Sequence, residues 1–417
     1  MRLICGLVRL DDAPADAAVL AAMVAALGAP GLSPRVVTRT DGPAALAVLD
    51  FARTPGPDAL PRAPDGTWLA ADLRLDRPRA LAAALDLPAG TAAEHLALAG
   101  LGRWGEDAPD RLDGDFALAA WTPERRRLIC ARDIMGVRPL CYTYRPGRLF
   151  AFASLPRGLH RAGVAAARPD AVALGRLLIE QYGQDEATGF QDIAWLLAGH
   201  SLTLTPEGLR LHRAWRPDPA AVGGWRGSAA EAAETLRTLV TEAVVCRLPP
   251  TGPVAAHLSG GLDSSALAVL AARALRADGR RLIAGSILAR PRPGLALHDE
   301  REYIEAVLAQ EPDILWTSVS LPALDGDGFT DPDLHYPGAI LAVEAGLCAA
   351  AAAGGAQLLL SGAGGDEGAT YSGGSLYFSV LKQGRLFHVL AELRARSRRE
   401  RISLFRQVVR RLIRPWL

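Results

Sequence analysis

The stretch that most constrains this 417-residue chain is Val254-Ala255-Ala256-His257-Leu258-Ser259-Gly260-Gly261-Leu262-Asp263-Ser264-Ser265. An apolar run ends in two adjacent glycines, and an Ala/Leu-rich helical pattern, Ala266 to Arg276, follows at once. That order predicts a buried strand, a tight turn and a helix N-terminus. Paired glycines let backbone approach a ligand without Cβ interference. The first helical turn offers unpaired N–H groups and a positive dipole end, both suited to a phosphate. Ser259, Ser264 and Ser265 add hydroxyls, and Asp263 can hold a cation between its carboxylate and a phosphate. No lysine follows the glycines, so this is not a Walker A loop. The plainer alternative is a strand-to-helix turn with a Ser/Asp cap.

Around this stretch, strand and helix patterns alternate. A long amphipathic helix is expected from Ser228 to Arg247, and strands at Val254–Leu258, Arg281–Leu288, Ile314–Ser318 and Gln357–Leu360. This half reads as an α/β domain with a parallel sheet, whose ligand sits beyond the strands' C-terminal ends. A second glycine-rich loop ends the last strand, Ser361-Gly362-Ala363-Gly364-Gly365-Asp366-Glu367-Gly368, and is expected to form a second wall around one magnesium nucleotide. The pair Asp299-Glu300 reads as a solvated helix start.

The first half is strand-dominated α+β. Strands are expected at Leu3–Leu10, Ala45–Phe51, Trp68–Leu75, Phe116–Trp121, Leu128–Arg132 and Leu149–Ala153, with helices at Ala17–Leu27, Arg79–Leu85 and Ala93–Gly102. The boundaries are set at 1–217 for this domain, 218–227 for a linker and 228–417 for the second domain. A net charge of +1 gives no general argument for a nucleic-acid partner. Five scattered cysteines without metal-like spacing, no signal-peptide pattern and no run long enough to span a bilayer favour a cytoplasmic protein.

Three stretches together resemble the asparagine synthetase family. Leu112-Asp113-Gly114-Asp115-Phe116-Ala117, then Ala131-Arg132-Asp133-Ile134-Met135-Gly136-Val137-Arg138-Pro139-Leu140, then Phe152-Ala153-Ser154 look like its glutaminase-type domain. Leu258 to Ser265 matches its ATP loop, and Ser361 to Glu367 its second nucleotide loop. The resemblance implies an N-terminal nucleophile-hydrolase-like (class II glutamine amidotransferase-like) domain followed by an ATP-pyrophosphatase domain. It also implies a reaction in which ATP activates a carboxylate as an acyl-adenylate for attack by an amine. Nucleotide contacts are then expected from Leu258, Ser259, Gly260, Gly261, Asp263, Ser264, Ser286, Ile287, Ser361 and Gly362, with Asp263 and Asp366 on Mg²⁺.

The departures from the family are informative. A glutaminase of this kind needs cysteine as the first residue, because its free α-amine acts as base. Here Cys5-Gly6-Leu7 looks like the family's Cys-Gly-Ile, but four residues precede it. Ala45 stands where the family has an Arg for the glutamine carboxylate, and Ala92 where it has an Asp for the amine. Ala71-Asp72-Leu73-Arg74-Leu75-Asp76 replaces Asn-Gly-Glu-Ile-Tyr-Asn. Charge-assisted contacts at both ends of glutamine are thus missing, and Cys5 is expected to be a buried structural thiol rather than a nucleophile. The amine must then come from elsewhere, as in β-lactam synthetases and lasso peptide cyclases. Trp68 to Asp76 and Gly364 to Ala369 look more like the cyclases, which implies a precursor peptide, a leader peptidase and a leader-recognition protein as partners. Ala363 stands where asparagine synthetases have Glu. An ammonia-using asparagine synthetase and an inactive nucleotide-binding scaffold are the alternatives.

The family also uses a lysine from a later helical lobe. The only lysine, Lys382, lies too early for that role, so the catalytic residue stays unassigned and the C-terminal part is expected to be short. Arg394 to Leu417 is strongly basic, and Ile402, Leu404, Phe405, Val408, Val409, Leu412 and Ile413 predict an apolar helical face. It reads as a packing face, or as a docking face for an acidic peptide or a membrane surface.

Overall fold

The computed structural model describes residues 2–413 apart from 30, 53–57, 180–185, 214, 217, 219–224, 289–299, 321–337, 367, 369, 371–375 and 383. The chain divides into two compact units, the first built on Met1–Arg226 and the second on Gly227–Leu324 and Leu341–Leu417. Most of the interval assigned to the linker lies outside the described residues.

The first unit carries strands β1 (Arg2–Arg9), β2 (Arg35–Asp41), β3 (Ala44–Asp50), β4 (Trp68–Leu75), β5 (Gly114–Thr122), β6 (Arg127–Arg132), β7 (Cys141–Arg145), β8 (Leu149–Ala153), β9 (Ala194–Trp195), β10 (His200–Thr205) and β11 (Gly208–Arg213). Its helices are α1 (Ala17–Leu27), α2 (Pro78–Ala84), α3 (Ala93–Trp104), α4 (Arg157–His160) and α5 (Ala171–Leu178). One sheet runs β2-β3-β1-β8-β7-β9 and the other β11-β10-β6-β5-β4.

Alternation along the strands explains the layering, since successive side chains point to opposite faces. From β1, Ile4 and Val8 enter the core between the sheets with Val48, Trp121 and Phe152. Leu3, Cys5 and Leu7 point the other way, onto Leu20, Met23 and Leu27 of α1. On the second sheet's outer face, Leu69, Leu118 and Ala131 meet Leu96, Leu98 and Leu101 of α3. The unit is therefore helix, sheet, sheet, helix. Inner strands such as β3, buried at every position, read as unbroken apolar runs because both faces are covered.

The second unit holds β12 (Val254–His257), β13 (Leu282–Leu288), β14 (Leu315–Ser320) and β15 (Leu359–Leu360), all parallel, in the order β14-β13-β12-β15. The helices are α6 (Ala229–Val245), α7 (Leu262–Ala277), α8 (Arg301–Gln310), α9 (Gly338–Ala353), α10 (Leu376–Lys382), α11 (Leu386–Glu400) and α12 (Leu404–Val408). Helix α6 starts at a reciprocal capping box between Ser228 and Glu231. Ala268, Ala271 and Leu275 of α7 seal the sheet with Ile304 of α8. The last strand is shorter than the expected Gln357–Leu360, because only Leu359 and Leu360 pair with β12.

The expected single C-terminal helix is broken. Arg401 adopts a left-handed conformation (φ 53°) that ends α11, and Ser403 caps α12 by accepting from the Arg406 N–H. Leu404, Val408 and Leu412 pack onto Tyr377, Val380, Val389 and Leu393, while Phe405 and Ile413 stay exposed. Part of the expected apolar face is thus a packing face within the unit. Among the described residues no helix is long and apolar enough to cross a membrane.

Candidate nucleotide site

Strand β12 has β13 on one side and β15 on the other, so the strand order reverses at β12 and opens a crevice beyond its C-terminal end. Leu258 to Gly261 turn there into α7. Gly260 takes a positive φ of 85°, and a Cβ on it would lie 2.9 Å from Tyr303 Cβ and 3.0 Å from the Glu300 carbonyl oxygen. Only glycine fits that backbone and that space. The Ser264 hydroxyl, one turn into the helix, accepts from the Ser259 N–H (3.0 Å) and lies 2.8 Å from the Ser259 hydroxyl. Ser259 Oγ in turn accepts from the Gly261 N–H at 3.2 Å. These bonds hold the loop open in a fixed shape, with Ser259, Gly261 and Leu262 at the surface.

The second glycine loop closes against the first. A Cβ on Gly362 would meet Ser264 N at 2.7 Å, and one on Gly365 would sit 2.3 Å from Asp263 Cγ. Asp263 Oδ1 accepts from the Thr370 hydroxyl at 2.7 Å. The two loops that were separated by about a hundred residues in sequence therefore share one carboxylate. Asp366 is exposed at the rim, and Glu367 lies outside the described residues.

Other expected residues take supporting positions. Leu258 is fully buried in the core, so its side chain lies under the loop rather than on the site's surface. Ser286 is buried too; its hydroxyl donates to the Leu258 carbonyl and accepts from Trp316 Nε1 at 2.8 Å. Ile287, at the end of β13, and Ser361, at the end of β15, are exposed and available to a ligand. Ser361 Oγ accepts from the Ala363 N–H. Glu300 begins α8, as expected for a helix start, and Asp299 lies outside the described residues. Lys382 ends α10 and is exposed.

Sequence reasoning missed Thr370, Trp316 and the neighbours of Gly260, because none stands in a recognisable spacing. It named Ser265 but not its condition. Ser265 Oγ is shielded from solvent without a hydrogen-bond partner among the described residues. A solitary buried hydroxyl beside a glycine cradle fits a ligand that brings acceptors. Among the described residues no three His, Cys, Asp or Glu side chains form a preformed metal cage. Mg²⁺ generally binds through one or two carboxylates together with substrate phosphates and needs no such cage.

The corresponding end of the first unit is closed. Cys5 is fully buried between Ala47 and Ala153, and burial pushes its thiol up to about 12. Ala45 is buried with it, and Ala92 precedes α3 without a side-chain cap. Asp72 accepts from the Arg2 N–H at 3.2 Å and pairs with Arg138 at 3.3 Å. The Arg2 guanidinium binds Asp50 and Glu94, and all four side chains are buried. Burial raises the Asp72 carboxyl above the usual range in spite of Arg138. The Arg132–Arg138 stretch is architectural: Asp133 accepts from the N–H groups of Phe116, Met135, Val137 and Arg138.

Two family profiles match these halves. One, described as glutamine amidotransferase domain, covers residues 89–215; the other, described as asparagine synthase, covers residues 235–416. The chain belongs to the asparagine synthetase family. Its fold is the N-terminal nucleophile-hydrolase-like domain followed by the ATP-pyrophosphatase domain. Glutamine-hydrolysing asparagine synthetase 3 of Bacillus subtilis is 33% identical over 178 residues, which are 42% of this chain and 28% of that protein. Amidase chry2 of Gibberella zeae is 32% identical over 161 residues, 38% of this chain and 23% of that one. Amidase chyE of Penicillium rubens is 28% identical over 189 residues, 45% and 27% respectively. The chain thus aligns with under a third of each of these family relatives.

Proposed function

We propose that this protein forms amide bonds at the expense of ATP, through an acyl-adenylate. A substrate carboxylate oxygen attacks the α-phosphorus, and the bond to pyrophosphate breaks. An amine nitrogen then attacks the activated carbonyl, AMP leaves with the former carboxylate oxygen, and the amine's proton passes to solvent. The Gly260 and Gly261 backbone and the hydroxyls of Ser259, Ser264 and Ser265 hold the phosphates, where charge builds as pyrophosphate departs. A magnesium ion held by Asp263 and Asp366 would neutralise that charge.

The acceptor we assign is the N-terminal amine of a lasso precursor peptide, closing a macrolactam on an Asp or Glu side chain. The observation that carries this reading is the contrast between units: an open glycine cradle in one, a sealed thiol and a closed ion network in the other. Without a working glutaminase the amine arrives with the substrate. Holding both groups in one molecule supplies an effective molarity on the order of 10⁵ M or more. Likeness to asparagine synthetase 3 favours a second reading, asparagine from aspartate with ammonia or glutamine.

Mass spectrometry of the protein with MgATP separates them. Supplied with a candidate core peptide, it should yield AMP and a peptide lighter by one water and resistant to proteases. Asparagine from aspartate and ammonium instead would sink the cyclase assignment. Silence with both acceptors would leave a nucleotide-binding scaffold.

A further inference from the structure

A small cavity opens in the first unit where the end of α3 lies over the β5–β6 hairpin. Leu98, Leu101 and Ile129 give it an apolar wall, and Thr67, Thr122, Arg125 and Arg127 a polar one. Thr122 ends β5 directly opposite Arg127, which begins β6, so the hairpin register sets both side chains on one face. Both threonines are buried, with their hydroxyl oxygens 3.0 Å apart. One hydroxyl donates to the other, so the second O–H is left over for an acceptor. The Arg127 Nε–H is shielded from solvent and finds no partner among the described residues. A shielded donor without an acceptor is costly, and a ligand oxygen would relieve that cost.

The charge balance of the cavity is positive. Two guanidiniums, Arg125 and Arg127, line it against one carboxylate, Asp65. Neither arginine has an ion pair among the described residues. Asp65 is turned to the backbone, its Oδ1 accepting from the Thr67 N–H at 3.0 Å. The negative end of α3 opposes an anion, but the Leu101 carbonyl of its last turn is taken by the Gly105 N–H. The cavity measures about 70 Å³. One water needs roughly 10–15 Å³ on this scale, so the space takes a group of about five heavy atoms, the size of one phosphate.

We propose that this cavity binds a single phosphate, either the free ion or the end group of a phosphate monoester. Arg127 Nε–H, the Arg125 guanidinium and the leftover threonine O–H donate to its oxygens. Bonds from guanidiniums to phosphate are charge-assisted and stronger than neutral ones. The inference is independent of the reaction assigned to the second unit.

Hydrogen exchange of the full chain tests it, in inorganic phosphate and in chloride at equal ionic strength. Phosphate should protect the hairpin at residues 122–127 saturably, apart from any protection it gives the glycine loops of the second unit. Arg127→Gln should raise the half-saturating concentration tenfold or more, and Thr122→Val, which keeps the shape, severalfold. Arg126→Gln should leave it unchanged, because Arg126 shares the hairpin but pairs with Asp12 outside the cavity. Glycerol phosphate tells the sources apart: equal or tighter protection assigns a monoester, and none assigns the free ion. Equal protection by chloride, no saturable protection at the hairpin, or equal loss from Arg126→Gln would overturn the site.

Discussion

Cys5-Gly6-Leu7 and Ser259-Gly260-Gly261 each carry a family motif at a strand, but only the second keeps space around it. In the second unit, glycines stand where any Cβ would collide with the partner loop or with Asp263. In the first, Cys5 faces a helix layer, and the neighbouring charges neutralise one another as a buried set. The difference teaches that a motif marks ancestry, whereas clearance and uncommitted polar groups mark a working site. One end has open backbone donors; at the other the thiol is sealed.

The largest expected effect breaks the open end. Gly365→Ala would set a methyl against the Asp263 carboxylate, and should lower ATP affinity by about a hundredfold or more, as misplacements near 1 Å do. Calorimetric titration with ATP reads it; near-normal binding would show that the loops part in solution. Asp263→Asn should leave folding intact and slow pyrophosphate release by roughly a hundredfold. A rate unchanged across magnesium concentrations would remove Asp263 from the metal.

The next two sharpen the contrast. Glu311 is buried against Arg273 and Arg276 (both 2.6 Å), and the two guanidiniums hold its carboxyl below the usual range although burial opposes this. Glu311→Gln should cost about 1–3 kcal/mol by urea denaturation of the second unit, with nucleotide affinity unchanged in the folded fraction. Cys5→Ala should cost about 1 kcal/mol and leave product formation untouched. Loss of a glutamine-dependent activity on that change would reverse the reading of the first unit.

The smallest effect concerns pH. Hydrogen bonds from Arg396 and Gln407 lower the Glu400 carboxyl to about 2. Because the folded value lies below the unfolded one, its stabilising contribution is complete above the ordinary carboxylate range and is lost as pH falls toward 2. Exchange protection at the α11–α12 joint should decline over that window, and Glu400→Gln should flatten the decline.

What was legible in the sequence follows from burial. β3, β4 and β8 were read nearly to the residue because they are largely buried and mostly apolar. The edge strands β2 and β11 were missed, since Arg35–Asp41 and Gly208–Arg213 are polar and largely exposed. β7 and β10 were missed although largely buried, because polar residues interrupt Cys141–Arg145 and His200–Thr205. β9 has only two residues and no pattern to find. In the site, the glycines and Asp263 were visible because backbone clearance demands particular residues at fixed spacing. Thr370 and Trp316 were not, because a single hydroxyl or indole acquires meaning only when distant loops meet. Arg401, a non-glycine in a left-handed turn, gave no warning that the basic helix would break.

The wall that carries Asp366 is tied to the sheet by the pairing of Leu359 and Leu360 with β12 and by the Leu358 carbonyl, which accepts from the Ala255 N–H at 2.8 Å. Two residue pairs at a sheet margin can part at far lower cost than the domain unfolds. On the proposed reaction, β15 would be the gate for departing AMP and pyrophosphate, with turnover timed by the peeling of this short strand rather than by the making of the amide.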